Sequence, residues 1–165
     1  MPNYWMLVTT PENYQITENL RFTIQGVKTK QRKKAQRMQQ GDRMLYYVKF
    51  IKKFPAIATI TSTCWEDHEV VWKAERGAED FPYRVQIKPD IVLDEADYLD
   101  AYQLGPGLQY VRRWVPEDWY LAFQEPLHLL PQRDFSLIYE EMRKIVQPNT
   151  APVARALRYP NKTKR

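Results

Sequence analysis

The sequence has few of the residues that build catalytic or cross-linked sites. Its 165 residues include one cysteine, Cys64, and two histidines, His68 and His128, which lie sixty positions apart. A single cysteine excludes an intrachain disulfide framework and is typical of a reducing compartment. A zinc site needs three or four ligands at short spacings. We therefore expect neither a metal site nor a cofactor.

Glycine and long apolar runs are equally scarce. Five glycines against twelve prolines disfavour a glycine-rich phosphate cradle, and the sequence has no Walker-type loop, dinucleotide fingerprint or serine elbow. No apolar run approaches the roughly 18 residues of a membrane span, and residues 1–19 lack the pattern of a secretory signal. We expect a soluble, cytoplasmic protein with no membrane partner and no catalytic residues, hence not an enzyme.

The residues that are present predict one mixed domain. A hydrophobic share of 44% and a charged share of 27% are ordinary for a globular protein, and residues 1–147 carry α+β periodicity. Residues 148–165 have no periodicity, so we expect a flexible basic tail there. Strands are predicted over residues 4–8, 42–50, 55–63, 81–88 and from 91, and helices over residues 11–20, 30–40 and 132–146.

The charge is distributed unevenly along the chain. Residues 26–53 hold ten lysines and arginines against Asp42 alone, whereas residues 54–147 carry a net charge of −8. A basic block beside an acidic body favours a polyanion-binding face, although a merely solvated helix face is the alternative. Four of its cations recur at helical spacing and would share one face of a helix. These four are Lys30, Lys33, Lys34 and Arg37.

Aromatic residues make up 13% of the chain. Most are expected to pack in the core, but Trp65 and Trp72 stand in the acidic segment CWEDHEVVW, where a core position is less obvious. Exposed aromatic faces beside a basic helix are how proteins stack an unpaired base, or a base lifted from a duplex. The sequence therefore favours a nucleic-acid partner, DNA or RNA.

Several segments, in order, resemble the EVE domain, a PUA-like family related to the YTH domain. The resemblance spans residues 3–146 and excludes the basic tail. The matching segments are Asn3-Tyr4-Trp5, Pro11-Glu12-Asn13-Tyr14, Gly26-Val27, Gly41-Asp42, Phe81 to Pro89, Arg112-Arg113-Trp114 and Leu130-Pro131.

The resemblance implies a closed, PUA-like mixed β-barrel of about five to six strands, flanked by short helices and followed by a C-terminal helix. It also implies a pocket beside a basic surface, because YTH relatives hold N6-methyladenine in an aromatic cage. EVE domains bind modified bases in DNA, 5-methylcytosine among them. The expected base-pocket residues are Trp5, Asn13, Phe22, Gln25, Trp72, Phe81, Tyr83 and Trp114. The expected phosphate-binding residues are Lys28, Lys30, Arg32, Lys33, Lys34, Arg37, Arg112 and Arg113.

Two of these positions decide how the family resemblance is interpreted. Asn13 matches a YTH position whose side-chain amide contacts the base edge, and an amide offers both a donor and an acceptor. Gln25 stands where related sequences often carry a cage tryptophan, which weakens a methyl-cage interpretation. The first hypothesis is a non-enzymatic reader of one base, with the modification open. The alternatives are a general PUA-type RNA-binding module and a small-molecule-binding or catalytic barrel.

Overall fold

The computed structural model describes residues 1–112 and 116–147. Within them, strands and α-helices are joined by several short 3₁₀ segments. The strands are β1 (Tyr4–Thr9), β2 (Ile24–Val27), β3 (Arg43–Val48), β4 (Lys53–Phe54), β5 (Ala56–Ile60), β6 (Trp65–Glu66), β7 (Tyr83–Val92), β8 (Leu99–Asp100) and β9 (Leu127–Leu129). The helices are α1 (Pro11–Asn19), α2 (Arg32–Gln36), α3 (Ala101–Leu104) and α4 (Gln132–Val146). The 3₁₀ segments are Thr29–Gln31, Glu95–Asp97, Gly105–Gly107, Gln109–Val111 and Pro116–Phe123.

One curled, mixed sheet organises the domain. Its main path runs β2-β7-β5-β3-β1-β9, and β1 pairs with β3 in parallel while the other neighbours pair antiparallel. A parallel pair requires a crossover connection, which α1, β2 and α2 supply between β1 and β3. The predicted α+β fold, with short helices and a C-terminal helix, is confirmed. The sheet is a half-barrel rather than the closed barrel expected, since its six-strand main path ends at β2 and β9.

Both faces of the sheet are covered. Along β1, Trp5 and Leu7 enter a cluster that α1 and α2 complete, while Met6 and Val8 enter a second cluster beneath α4. Strands buried on both faces read as continuous apolar runs rather than alternating ones, which explains the YWMLV segment. The core therefore lies on both sides of β1 and β3.

Helix α4 matches its predicted span, residues 132–146. Phe135, Ile138 and Met142 are buried, as the helical spacing indicated. The buried carboxylate of Asp134 accepts hydrogen bonds from the backbone N–H groups of Gln109 and Tyr110, each at 2.8 Å. The helix is thus tied to the preceding 3₁₀ segment as well as to the sheet.

Strand β7 differs from the prediction. The predicted strands over residues 81–88 and from 91 form one strand, Tyr83–Val92. Pro89 is accommodated because the register with β5 shifts opposite it, as expected of proline at an irregular position. Arg84 lies among the polar residues of the alternating segment YRVQIK, a pattern that would place it on the solvent face, yet it is 2% exposed.

The predicted helix over residues 30–40 is also shorter than expected. A 3₁₀ segment, Thr29–Gln31, is followed by the five-residue α2. The chain leaves the helix because Asp42 caps a turn, accepting from the backbone N–H of Gln39 at 3.0 Å. Gly41 then takes a φ of +98°, which favours glycine. None of the helices in the described ranges combines the length and apolar character needed to cross a membrane.

Candidate nucleic-acid interface

A pocket of about 380 Å³, part of it open to solvent, lies where the N-terminal end of α1, strand β2 and the segment between β6 and β7 meet. We call that segment, residues 67–82, the pocket loop. The pocket is lined by Leu7, Val8, Thr9, Thr10, Asn13, Gln25, Gly26, Val27, Lys28, Trp72, Glu75, Phe81 and Pro126.

The indole of Trp72 forms one wall of the pocket and is almost completely buried. It is 3% exposed, and its Nε1–H donates to Thr17 Oγ1 at 2.9 Å. A Cβ on Gly26 would stand 2.5 Å from Trp72 Cζ3, so the ring lies against backbone that has no side chain. The guanidinium of Arg84 lies 5.3 Å from the ring centroid. The predicted open aromatic face is therefore not available at Trp72.

Burial of Arg84 is explained by the pocket loop. Its guanidinium donates to the carbonyl oxygens of Phe81, at 3.1 Å, and of Glu69, and Asp67 lies 3.7 Å away. A buried cation is tolerated when hydrogen bonds and an opposite charge replace its water. Arg84 thus holds both ends of the loop that carries Trp72.

Gln25 is the centre of a buried hydrogen-bond network. Its Oε1 accepts from Thr17 Oγ1 at 3.0 Å and from the Tyr46 hydroxyl at 2.8 Å, and its Nε2 donates to the carbonyl of Gly26 at 2.9 Å. Burial raises the pKa of Tyr46, which keeps the phenol protonated as a donor. The amide oxygen has no lone pair left, so the expected base-edge role of Gln25 is reduced to one remaining N–H.

Asn13 joins α1 to the pocket loop. Its Nδ2 donates to the carbonyl of Lys73 at 2.8 Å, and its Oδ1 accepts from the Lys73 backbone N–H at 2.8 Å. An amide group offers two N–H donors and two lone pairs. Asn13 therefore keeps one donor and one acceptor for a ligand while the backbone of Lys73 fixes its orientation.

The Asn13 contacts predict a measurable loss of order. Asn13→Ala removes both hydrogen bonds to Lys73 and should lower the free energy of unfolding by about 1–3 kcal/mol. Amide hydrogen exchange over residues 67–82 should accelerate in the variant. Gln15→Ala removes an exposed amide from the same helix and serves as the control, with unchanged exchange in the loop. Equal exchange in the two variants would contradict the anchoring role.

The mouth of the pocket carries an ion-pair cluster. The Lys49 ammonium lies 2.7 Å from Glu75 Oε2, and Lys28 Nζ lies 3.5 Å from Glu75 Oε1 and 3.4 Å from Glu79 Oε1. Burial by itself raises the pKa of Glu75, but the hydrogen bond and charge of Lys49, together with Lys28, lower it overall. Glu75 is therefore ionised, and the predicted phosphate-binding Lys28 is partly neutralised within the protein.

Residues 30–37, which we call the basic segment, have fewer of their charges neutralised by carboxylates than the ion-pair cluster does. Among residues 1–112 and 116–147, no carboxylate forms a salt bridge with the exposed cations of the basic segment. These cations are Lys30, Arg32, Lys33 and Arg37. Lys34 differs, because it is half-buried and its Nζ donates to the carbonyl of Leu127 at 2.8 Å. Four cations thus face solvent, and Lys34 is not one of them.

Several predicted pocket residues do not line the pocket. Trp5 is fully buried and its Nε1–H donates to Asp42 at 3.0 Å. Phe22 packs between Tyr14 and Tyr46 in the same core cluster. Tyr83 pairs with Val27 at the start of β7 and is half-buried outside the pocket. Arg112 is exposed after a 3₁₀ turn and also lies outside the lining. Arg113, Trp114 and the predicted tail over residues 148–165 lie outside the described residues.

Four predicted base-pocket residues do come together, namely Asn13, Gln25, Trp72 and Phe81. The sequence did not indicate Glu75, Lys49 or Thr17, because isolated polar residues of these types carry no pattern of their own. Nothing in the part of the chain that the structure describes brings three His, Cys, Asp or Glu side chains together as a metal site.

Comparison of the chain with known proteins gives one family and one fold. UPF0310 protein PH1033 from Pyrococcus horikoshii is 29% identical over 145 residues, which are 82% of this chain and 95% of that protein. A hypothetical protein from Leishmania major superposes with a TM-score of 0.62 at 15% identity, covering 88% of this chain and 97% of its own.

The YTH domain of the Zygosaccharomyces rouxii MRB1 protein, solved in complex with N6-methyladenosine RNA, has the same fold. It superposes with a TM-score of 0.62 at 13% identity and covers 86% of each chain. The predicted PUA-like fold, related to the YTH domain, is therefore confirmed. The family model of the EVE domain matches residues 3–103, more than half of the chain. The chain belongs to the EVE domain family.

Proposed function

We propose that this protein is a non-enzymatic nucleic-acid-binding module that takes one base of a single strand into the pocket. The phosphates next to that base would lie along Lys30, Arg32, Lys33 and Arg37. The observation that carries the proposal is the continuity of the two surfaces. Lys28 lines the pocket, and Lys30 follows it two residues later as the first exposed cation that has no salt bridge within residues 1–112 and 116–147.

The chemistry of the pocket supports binding rather than catalysis. Its described lining contains neither histidine nor cysteine, and its polar groups are amides, hydroxyls and one ion-pair cluster. Asn13 retains one donor and one acceptor to read a base edge. Trp72 and Phe81 supply an apolar wall with ring centroids 6.2 Å apart. Apolar contact with a base combined with hydrogen bonds to its edge is a usual mode of single-strand recognition.

The fold relationship favours RNA as the first partner to test, because the YTH neighbour was solved in complex with N6-methyladenosine RNA. Recognition of a methylated base by an aromatic cage requires an open aromatic face. The described residues do not offer one here, because Trp72 is 3% exposed and Gln25 stands at the cage position. The pocket therefore favours recognition through hydrogen bonds from Asn13 together with apolar contact from Trp72 and Phe81.

Fluorescence anisotropy at two salt concentrations tests the proposal. Matched single-stranded RNA and DNA would carry adenine, N6-methyladenine, cytosine or 5-methylcytosine at one position. A gain of about tenfold for one base, equal to 1.4 kcal/mol, would name that base. Salt-sensitive binding that ignores the base would instead support a general RNA-binding module. Absence of binding at low salt would overturn the proposal and favour a small-molecule ligand.

Charge reversal tests whether the basic segment contacts phosphates directly or only adds to the overall positive charge of the protein. The double variant Lys30→Glu and Lys33→Glu should weaken RNA binding by about 10-fold to 100-fold at low salt, because each lost phosphate contact reduces counterion release. The log–log salt slope should also become shallower by roughly 1.4, or 0.7 per contact on a single strand.

The matched control is the double variant Arg133→Glu and Lys144→Glu. It makes the same change in net charge on the exposed face of α4, away from the pocket lining. The control should bind within a few-fold of the parent protein. Similar losses in both double variants would show that net charge alone attracts the nucleic acid, and would remove the phosphate-binding role from the basic segment.

A further inference from the structure

We infer that the carboxylate of Glu75 occupies, within the free protein, the position of a nucleic-acid phosphate held by Lys28 and Lys49. This inference rests on the proposed function. It joins Lys49, which the resemblance did not indicate, with the expected phosphate-binding residue Lys28 in one subsite at the pocket mouth. Nucleic acid would bind there by displacing Glu75 from the two lysines.

The geometry of the cluster is that of an anion site with an internal occupant. Lys49 Nζ lies 2.8 Å and 2.7 Å from the two carboxylate oxygens of Glu75, and Lys28 Nζ approaches the same carboxylate from a second side at 3.5 Å. Two cations around one planar anion make a set of contacts that a phosphate oxygen also satisfies. The side chain of Glu75 is 23% exposed, so solvent and ligand reach it.

Both lysines are placed at the pocket by the fold. Lys28 follows β2 and lines the pocket, and its Nζ lies 5.7 Å from the Phe81 ring centroid. The backbone N–H of Lys49 donates at 2.9 Å to the carbonyl of Thr9, another lining residue. By contrast, Glu75 belongs to the pocket loop, so a rearrangement of that loop would leave the lysines in place.

The residue after Lys49 provides a surface for the nucleoside attached to that phosphate. Phe50 is 67% exposed, and its ring centroid lies 5.3 Å from Lys49 Nζ. Its φ of 75° is rare for a residue with a Cβ, so the turn holds an apolar ring in solvent at some cost to stability. A base can stack on such a ring whatever its sequence.

Glu75→Gln tests the inference because it removes the charge that competes at Lys49 and retains the size of the side chain, while Glu79 stays 3.4 Å from Lys28. Affinity for single-stranded RNA should rise by about fivefold or more, as expected when a charged competitor leaves an ionic site. Glu12→Gln is the matched control, since Glu12 pairs with the exposed Lys73 at 3.0 Å and not with either subsite lysine. The control should change affinity by less than about twofold, the scale of an exposed rim charge.

A double-mutant cycle of RNA affinity, combining Glu75→Gln with Lys49→Ala, distinguishes direct competition at the subsite from long-range electrostatic attraction. If Glu75 competes with phosphate at Lys49, the gain from Glu75→Gln should become clearly smaller when Lys49 is alanine, because only the longer contact of Glu75 with Lys28 remains. A gain that persists undiminished would overturn the subsite, because a general change in potential does not require Lys49. Equal affinities for Glu75→Gln and Glu12→Gln would overturn it as well. Phe50→Ala should lower RNA affinity in both backgrounds.

Inorganic phosphate distinguishes failure of the subsite from failure of the proposed function. Phosphate should raise the melting temperature of the Glu75→Gln protein more than that of the Glu12→Gln protein. If it does and no nucleic acid binds, the anion site stands, and the assignment to nucleic acid is overturned together with the proposed function. If RNA binds the parent protein, but the two variants have the same RNA affinity and the same phosphate-induced shift in melting temperature, only the subsite is overturned.

Discussion

Replacing Gly26 with alanine is expected to destabilise the protein more than any other single-methyl change near the pocket. The new Cβ would stand 2.5 Å from Trp72 Cζ3 and 2.8 Å from the carbonyl oxygen of Phe81. The second of these is backbone and the first belongs to a ring that is 3% exposed, so neither moves cheaply. Overpacking of this kind costs about 1–3 kcal/mol or more.

Denaturant unfolding and tryptophan fluorescence measure the effect of Gly26→Ala. The expected result is a lower midpoint together with an altered tryptophan environment, because the ring must leave its position against β2 and its bond to Thr17. Gly107→Ala is the control, since a Cβ there meets nothing within 4 Å. A Gly26→Ala protein as stable as the Gly107→Ala protein would contradict the close approach of Trp72 to the strand.

Protonation of the buried His128 is expected to lower the free energy of unfolding at acidic pH. The ring is 3% exposed on β9, where Nδ1 lies 2.7 Å from the Tyr110 hydroxyl and Nε2 lies 2.7 Å from the carbonyl oxygen of Glu125. Burial, reinforced by the charge of Lys34, lowers the pKa of His128 to about 4 despite the opposing hydrogen bond to Glu125. The ring is therefore neutral at pH 7.

The direction of the effect follows from linkage. The unfolded chain binds a proton at its ordinary pKa of about 6.5, whereas the folded chain resists protonation until about pH 4. Stability is present above pH 6.5 and is lost as the pH falls from 6.5 to about 4. The loss is on the order of 3 kcal/mol, at about 1.4 kcal/mol per pKa unit.

NMR titration of the two imidazoles checks this prediction without a change in the sequence. His128 should remain neutral until near pH 4. His68 should titrate above its ordinary pKa, because hydrogen bonds to Asp80 and Glu66 raise it. His68→Gln assigns the signals and should leave the acid sensitivity of unfolding in place. Titration of His128 near pH 6.5 would contradict the prediction.

The elements that were predictable from the sequence are those with local signals. Thr10 and Pro11 indicate the start of α1. The Thr10 hydroxyl accepts from the backbone N–H of Asn13 at 3.1 Å, as an N-cap does. The spacing of apolar residues gives α4 the same bounds in sequence and structure. Each of these signals lies within one or two turns of the chain, so reasoning from pattern finds it.

The features that were missed depend on contacts between distant residues. Arg84 looks like a solvent-facing strand residue, and only the pocket loop makes its burial favourable. The Asn13–Lys73 pair joins positions sixty residues apart. Helix α2 is short because Asp42, beyond its end, captures Gln39. Which of the predicted aromatic rings are buried also depends on this packing, as Trp5 and Phe22 show.

The contacts that hold the pocket loop are different from those that set the strand pairing of the sheet. The loop is held at defined points, with Trp72 on Gly26, Lys73 on Asn13 and the two loop ends on Arg84, whereas the sheet register is set by β1, β3, β5 and β7. Residues 74–79 lie between these points. Substitutions there are expected to change the mouth of the pocket, where Glu75 lies, without altering strand pairing.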